Sequence, residues 1–284
     1  MNGKTELVSF VSEVADLAST KSILNHDDLS KALERNQTIF YQKRDFVFRS
    51  GYWRGNPIKS VFSSLNQEKL VLGHSDYSTN QLHGLLLKVR HKNLRIIWSS
   101  NVETSSFFLR EIPLGLTNYC NDSDFHPIFG NQMHIAQALN FQDQREPRLY
   151  ANFNVNTYPK YRKRLLKYLG GLGLDIQFGD ATPTNGGRIK YLREIRRYGF
   201  VICPRGNGKD THRLFETLAM GSVPVLLEED VPSWLARSGD LPFISLKNWN
   251  ELNQLKLANH FDSLDKVNIE KLKTDYWASL IRDS

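Results

Sequence analysis

One short segment, residues 203–216, brings together residue types that bind anionic ligands. Its turn contains Gly206 and Gly208, and glycines allow a backbone to approach a ligand closely. Arg205 and Arg213 can neutralise phosphate oxygens. A helix predicted to follow the turn would point its N-terminal N–H groups and its dipole at the same anion. The chemistry indicated is the binding of a diphosphate.

The predicted helix also carries a polar face. His212 and Glu216 are four residues apart, and Arg213 is three residues before Glu216, so all three share one side. A carboxylate at Glu216 is placed to accept hydrogen bonds from a ribose diol. Asp210 or Thr211 is placed to cap this helix. The alternative is an ordinary connection with Asp210 as the cap and Arg213 paired with Glu216 in solvent. Because cations, histidine and glutamate cluster with the glycines, ligand binding is favoured.

The elements that must position this segment are visible as a pattern along the chain. Short apolar runs alternate with stretches whose apolar residues have helical spacing. Such alternation predicts βαβ units and parallel sheets, with ligands beyond the carboxyl ends of the strands. Predicted strands are 69–73, 94–98, 111–116, 149–153, 174–178, 198–203 and 223–227. Predicted helices are 5–35, 80–90, 159–169, 188–197, 211–220 and 264–282.

Two α/β domains facing a cleft are the expected architecture. The first domain is assigned to residues 1–145, with a helical N-terminal segment, and the second to residues 146–263. The break is expected in the polar, irregular stretch 130–148. The final helix, within residues 264–284, is expected to cross back to the first domain.

The overall charge indicates which classes of partner the chain is expected to bind. The 284 residues carry a formal charge of +7, which favours nucleotide phosphates, acidic glycans or an anionic membrane surface. No dense Lys/Arg run or nucleic-acid motif appears, so nucleic acid is not expected. Cys120 and Cys203 do not form a disulfide framework, and the N-terminal residues contain nothing near the about 20 apolar residues of a membrane span. The chain is therefore expected to be soluble and cytoplasmic, with peripheral membrane contact left open.

A longer stretch of sequence around the same segment resembles a known family. Residues 198–227, and above all Cys203-Pro-Arg-Gly-Asn-Gly-Lys-Asp-Thr-His-Arg-Leu-Phe-Glu216, are similar to the donor-site signature of exostosin-like glycosyltransferases. A weaker likeness runs through His74-Ser-Asp, residues 98–101, 112–116 and 152–156. The resemblance implies a GT-B-like α/β fold, in which two Rossmann-like domains with parallel sheets face an interdomain cleft. It also implies transfer of a sugar from a nucleotide-diphosphate sugar to a glycan or glycolipid acceptor.

The resemblance further assigns roles to residues of the segment. Glu216 is expected to contact the nucleotide ribose, and Arg205 and Arg213 to face the diphosphate. Asn152 is expected to approach the diphosphate from the other side, although asparagines in such a loop also build turns. The remaining residues expected to line the donor pocket are Gly206, Asn207, Gly208, Asp210, Thr211 and His212.

A catalytic base is predicted in the first half of the chain. An inverting transferase needs a group that takes the proton of the acceptor hydroxyl. Strand 69–73 leads into a loop that contains His74 and Asp76, at the carboxyl end of a parallel strand. Asp76 is the preferred base and His74 the second choice. The alternative is that Asp76 caps the next helix and His74 only packs locally.

No metal or other cofactor is predicted, and the nucleotide sugar is a co-substrate. The cysteines and histidines are not grouped with metal-ligand spacing, and arginines with a helix dipole can stabilise a leaving diphosphate.

Two other functions stay open: a non-catalytic module that binds nucleotide sugar or glycan, and another α/β sugar-phosphate enzyme such as an epimerase. The Walker and dinucleotide-binding glycine motifs are absent from the sequence, which disfavours an NTPase or a dehydrogenase.

Overall fold

The computed structural model describes eleven stretches of the chain, which contain two parallel β-sheets and the helices that cover them. The second half of the chain is described almost continuously. The described residues are 13–15, 23–33, 39–42, 48–49, 52–53, 69–73, 78–79, 94–104, 106–117, 131–179 and 185–284.

The N-terminal sheet has four strands, all parallel to their neighbours, in the order β1-β4-β5-β6. A small antiparallel hairpin of β2 and β3 lies between β1 and β4 along the chain. Strand β4 is central, and its last four residues are buried, as expected for a strand covered on both faces. The strands are β1 (Ile39–Gln42), β2 (Phe48–Arg49), β3 (Tyr52–Trp53), β4 (Lys69–Gly73), β5 (Ile96–Ser99) and β6 (Leu109–Glu111).

The C-terminal sheet has five parallel strands in the order β8-β7-β9-β10-β11. The chain first steps from β7 to β8 and then returns past β7 to β9, so the direction of winding reverses between β7 and β9. That reversal creates a crevice at the carboxyl ends of these two strands. The strands are β7 (Arg148–Ala151), β8 (Ile176–Phe178), β9 (Gly199–Ile202), β10 (Val223–Leu227) and β11 (Ile244–Leu246).

Helices cover both sheets. The α-helices are α1 (His26–Leu33), α2 (Gln132–Leu139), α3 (Pro159–Gly171), α4 (Asn185–Tyr198), α5 (His212–Ala219), α6 (Ser233–Ala236) and α7 (Thr274–Arg282). Short 3-10 helices span Glu228–Asp230, Trp249–Gln254, Leu257–Ser263 and Ile269–Leu272. Within the described stretches, no helix combines the length and apolarity that a bilayer crossing requires.

The predicted α/β class with parallel sheets is confirmed. The predicted strand 111–116 is wrong, because β6 ends at Glu111 and residues 112–117 form a loop apart from an isolated bridge at Leu116. Pro113 lies in this loop and has no N–H for a sheet ladder. The stretch 130–148, expected to be irregular, contains α2, and strand β11 was not predicted.

The hydrophobic core joins the two sheets. Successive residues of the C-terminal strands alternate between two clusters, with Tyr150 and Val201 in one and Leu149 and Phe200 in the other. The first cluster continues into the N-terminal half, where it includes Val71 of β4. The sheets therefore share buried apolar surface, whose removal from water stabilises their arrangement.

The C-terminal end of the chain packs against the N-terminal half. Helix α7 contacts α1, and Leu24 N–H donates to the carbonyl of Leu272 at 2.8 Å. The Nε1–H of Trp98 in β5 donates to the hydroxyl of Ser284 at 3.2 Å. Unfolding of one half would therefore expose core residues of the other.

A buried ionic cluster fixes the chain that leads from β11 toward α7. The Oδ1 of Asp265 accepts hydrogen bonds from Arg145 at 2.8 Å and from Arg196 at 2.9 Å. Burial and the nearby Arg196 charge together lower the pKa of Arg145 to about 10, although Asp265 opposes both effects. The carboxylate therefore offsets two cations that are close together in the interior.

Asp265→Asn tests this cluster. Loss of the negative charge leaves two arginines uncompensated, so we expect the free energy of unfolding to fall by about 3 kcal/mol. Urea unfolding measures the change. The matched control is Asp262→Asn, at an exposed position nearby. Equal stability of the two variants would contradict the proposed role of Asp265.

Candidate functional site

The segment predicted to bind the anion lies at the topological switch point of the C-terminal sheet. Residues 152–158 follow β7, and residues 203–211 follow β9, so both loops begin at the carboxyl edge beside the reversal. Ligands of open α/β sheets bind in this crevice. The placement agrees with the expectation from sequence that the loop lies beyond the strand ends.

Arg162 of α3 joins the two loops. Its guanidinium donates to the carbonyls of Pro204 and Arg205, each at 2.8 Å, and also to the carbonyl of Asn154 at 3.0 Å. The side chain is buried beneath Gly206, where an added Cβ would come within 3.3 Å of Arg162 Nη2. A glycine at 206 therefore lets the loop lie directly on this arginine.

Arg205 extends from the loop toward the N-terminal half. Its guanidinium lies 3.2 Å from Glu103, which follows β5, and 3.6 Å from Asp230, which follows β10. Burial raises the pKa of Asp230 to about 6, although the neighbouring Arg205 charge opposes this shift. Arg205 is thus ion-paired with acids of both halves at the point where loops of the two sheets meet.

Tyr158 adds an aromatic ring and a strained backbone to the same crevice. Its φ of 71° is in the left-handed region, which is unfavourable for a bulky side chain. Such strain is concentrated at ligand sites, where the surrounding structure holds it in place. The ring is 43% exposed, and the Arg205 guanidinium carbon lies 5.4 Å from its centroid. The ring and the cation together form an accessible surface for a ligand.

Asp210 connects the loop to the N-terminal half. Its backbone N–H donates to Asn101 Oδ1 at 2.7 Å, and Asn101 Nδ2 donates to its carbonyl at 3.2 Å. Its carboxyl Oδ2 accepts from Leu114 N–H at 2.6 Å and from Trp234 Nε1–H at 2.9 Å. Of the two predicted caps, Thr211 occupies the N-cap position of α5, although its side chain makes no capping hydrogen bond, and Asp210 does not cap the helix.

His212 makes a second connection between the halves. Its Nδ1 lies 2.8 Å from the carbonyl of Gly115, and it donates because a carbonyl only accepts. Gly115 has a φ of +69°, and a Cβ there would lie 2.6 Å from the carbonyl oxygen of Leu24. Only glycine fits this turn, which positions the carbonyl for His212.

Glu111 lies beside Asp210 and holds the start of α6. Its carboxylate accepts from the N–H and hydroxyl of Ser233, from Trp234 N–H and from Val102 N–H, over 2.5–3.2 Å. Burial raises the pKa of Glu111, while these hydrogen bonds lower it. Burial raises the pKa of Asp210 to about 8, and the charge of Glu111 contributes. The four donors to Glu111 favour its charged form, whereas burial opposes ionisation of both carboxyl groups.

Arg213 and Glu216 lie beneath the loop. Glu216 is fully buried and accepts a hydrogen bond from the hydroxyl of Tyr191 at 2.9 Å. Arg213 is 1% exposed, and its guanidinium carbon lies 5.6 Å from the Tyr191 ring centroid. The two side chains are therefore interior neighbours of α4, and their direct contact with a donor stays a prediction.

Asn152 belongs to the same interior network. Its Nδ2 donates to the hydroxyl of Tyr150 at 2.8 Å, and that hydroxyl donates to Glu194 at 2.6 Å. Asn152 is buried at the start of the loop after β7, so it supports the crevice from below. Contact between its side chain and a diphosphate also stays a prediction.

The predicted catalytic pair, His74 and Asp76, lies outside the described residues. Strand β4, which precedes it, ends at Gly73. The prediction of a base at this position is therefore untested. No sequence signal marked Glu103 and Asp230, because isolated acids carry no motif, and Arg162 was assigned no role of its own.

Metal binding is not decided by the described residues, among which no three His, Cys, Asp or Glu side chains form a group suited to a metal ion. The sequence contains one Asp-X-Asp triplet, Asp122-Ser123-Asp124, which lies outside those residues. Paired carboxylates suit a hard divalent cation. Metal independence consequently stays a prediction.

Comparison with known proteins relates the C-terminal half to glycosyltransferases. Residues 179–277, about a third of the chain, match the model of the RXYLT1 C-terminal domain, so this region is glycosyltransferase-related. It includes the loop after β9 and helices α5 and α6. No curated protein matches the chain significantly in sequence.

A solved structure of an alpha-glucosyltransferase in complex with UDP-glucose and DNA containing an abasic site is also similar. The alignment covers 90% of this chain and 79% of that one, with 10% identity and a TM-score of 0.36. The likeness is weak at that TM-score, and the parallel α/β class of this chain follows from its own strand order.

Asp210 makes the stability of this junction sensitive to pH. Its raised pKa means that the folded state holds the proton more tightly than the unfolded state. Stability should therefore fall by about 1 kcal/mol from pH 7 to pH 9, as the proton is lost. Urea unfolding of Asp210→Asn should lack this decrease, whereas the exposed control Asp275→Asn should retain it. An unchanged decrease in Asp210→Asn would show that another group titrates.

Proposed function

We propose that this protein is a glycosyltransferase of GT-B type that takes a nucleotide-diphosphate sugar as donor and a glycan or glycolipid as acceptor. The observation that carries the proposal is the loop after β9, which combines glycines and Arg205 at the switch point. The glycosyltransferase-related match over the same region supports it. We place the reaction in the cytoplasm, in polysaccharide synthesis, without a metal cofactor.

In the proposed complex, the diphosphate occupies the crevice between the loops after β7 and β9. Arg205 is half-buried and reaches both halves of the chain, so it is the preferred diphosphate contact. Arg162 acts indirectly, because its guanidinium already donates to the carbonyls of Pro204 and Arg205 in the loop. The N–H groups at the start of α5 add partial positive charge. These groups would stabilise the nucleoside diphosphate as it leaves.

The transfer step is proposed to invert the anomeric carbon. Asp76, or His74 in its place, takes the proton of the acceptor hydroxyl as its oxygen bonds to the anomeric carbon. The bond from that carbon to the diphosphate breaks at the same time. Both groups follow β4, a strand of the N-terminal sheet that is parallel to β5. The acceptor is therefore assigned to the N-terminal side of the crevice.

Donor binding is tested by thermal shift with nucleoside diphosphates, in EDTA and then with Mg²⁺ or Mn²⁺. Arg205→Gln removes a charged contact, so we expect about a tenfold or greater loss of affinity. The matched control is Arg197→Gln, whose side chain pairs with Glu146 just before β7, at the opposite edge of the same sheet. Glu216→Gln tests the predicted ribose contact.

The outcomes separate the three candidate functions. Failure of every nucleotide to bind would reject the donor site. Binding without sugar transfer to any acceptor, and without an effect of Asp76→Asn, would favour the non-catalytic module. Conversion of the bound sugar without transfer would favour an epimerase. Binding that requires a divalent cation would contradict metal independence.

Peripheral membrane contact is proposed for the outer face of α3. Lys160, Lys163, Arg164 and Lys167 are exposed there, beside Leu166, which is 40% exposed. Cations next to apolar side chains on a helix surface suit an anionic lipid surface. A lipid-linked acceptor would then be presented near the crevice, since α3 follows Tyr158 directly.

Sedimentation with phosphatidylserine vesicles tests this contact. Each lysine contributes about 1 kcal/mol near such a surface, so Lys163→Gln with Lys167→Gln should lower partitioning by on the order of tenfold or more. The control combines Lys256→Gln and Lys266→Gln, which remove two exposed lysines elsewhere. Equal loss in both double variants would indicate only a general charge effect.

A further inference from the structure

A second cavity, of about 250 Å³, lies between the N-terminal sheet, α6 and α7. It is distinct from the crevice at the switch point, since neither the loop after β7 nor the loop after β9 lines it. Its volume is slightly below the about 300–1,000 Å³ of sites for drug-sized ligands, which suits a group the size of one sugar ring. Its lining consists of Trp98, Arg110, Glu111, Trp234, Arg237, Ser238, Leu241, Lys271, Tyr276, Trp277 and Leu280.

The aromatic walls of this cavity are fixed. Trp234 Nε1–H donates to Asp210 at 2.9 Å, and Trp277 Nε1–H donates to the carbonyl of Lys271 at 2.9 Å. The rings of these tryptophans meet edge-to-face at 89°, with centroids 6.3 Å apart. Because the indole N–H groups already have partners, the small part of each ring that reaches the cavity is apolar and held in a set orientation, with Trp234 3% and Trp277 5% exposed. A ligand would not have to order them, which favours binding.

Two arginines bring positive charge to the cavity. Arg237 is exposed and forms no ion pair with any side chain in the described part of the chain. Arg110 donates from Nη1 to the carbonyls of Phe107 and Leu109, and it likewise has no acidic partner among the described residues. The third cation, Lys271, is paired with Asp240. Arg110 and Arg237 are therefore the side chains suited to a carboxylate or phosphate.

The acidic residue in the lining, Glu111, forms no ion pair with Arg110 or Arg237. Both carboxylate oxygens of Glu111 accept hydrogen bonds, from Val102 on one side and from Ser233 and Trp234 on the other. Glu111 is buried, whereas Arg237 is exposed. The hydroxyl of Tyr276, also in the lining, can bond to a hydroxyl group of a ligand.

We infer that this cavity binds an anionic saccharide, a single sugar ring that carries a carboxylate or phosphate. The sugar ring lies against the tryptophans, and its anionic group contacts Arg110 and Arg237. The cavity is too small for a whole nucleotide sugar, so it is not a second donor site. The ligand is either a free sugar acid or sugar phosphate, or the end of an acidic glycan. This inference does not depend on the proposed transfer reaction.

Calorimetric titration of the full chain tests the inference, with glucuronate, glucose 6-phosphate, glucose and a glucuronate-terminated oligosaccharide as probes. We expect the anionic probes to bind more tightly than glucose. Arg237→Gln and Arg110→Gln should each weaken them by about tenfold, as loss of a charged hydrogen bond predicts. Arg282→Gln, on the same helix as Trp277 but outside the lining, should bind like the unmodified chain.

Comparison of the affinities of the different probes also identifies the source of the ligand. Tighter binding of the oligosaccharide than of glucuronate assigns the cavity to a glycan end, and the reverse assigns it to a free sugar acid. Equal binding of glucose and glucuronate, or binding unchanged in both arginine variants, would overturn the inference. Displacement of glucuronate by a nucleoside diphosphate would also overturn it. Failure of donor binding at Arg205 would leave this result intact, because no nucleotide is needed.

Discussion

The junction between the two halves of the chain depends on the buried contacts of Asp210. Backbone and side-chain atoms of this residue bond to Asn101 and Leu114 in the N-terminal half and to Trp234 in α6. Asp210 is fully buried, so loss of any one partner would leave a desolvated polar group. The loop after β9 can therefore adopt few other positions while the two sheets remain together.

This constraint explains how the crevice can carry strain and charge. Arg162 holds the loop from below, while Asp210 holds it from the side, so its conformation is determined at both points. Tyr158 can then be kept in the left-handed region, and Arg205 can be placed between Glu103 and Asp230. A preorganised cation loses little entropy when an anion binds, which is the property a diphosphate site needs.

The candidate site was predictable in location but only partly in detail. Glycines and arginines after an apolar strand indicated the loop at 203–211, because strand ends and turn residues leave local signals. The burial of Glu216 against Tyr191 left no such signal, since Tyr191 is on a different helix and far along the chain. The three-residue and four-residue spacings among His212, Arg213 and Glu216 gave a shared face but not the direction of that face. His212 meets the N-terminal half, whereas the other two lie in the interior.

The amino-acid sequence by itself determined the parallel α/β class, the position of β4 and β10, and the loop rich in glycine and arginine. These features follow from local patterns: apolar runs of strand length, helical spacing and turn residues. Only the tertiary structure decided that Asp210 joins the two halves instead of capping α5, and that Trp234 and Trp277 enclose a second cavity. Such contacts join residues far apart in the chain. Their existence depends on how the sheets pack, which no local pattern encodes.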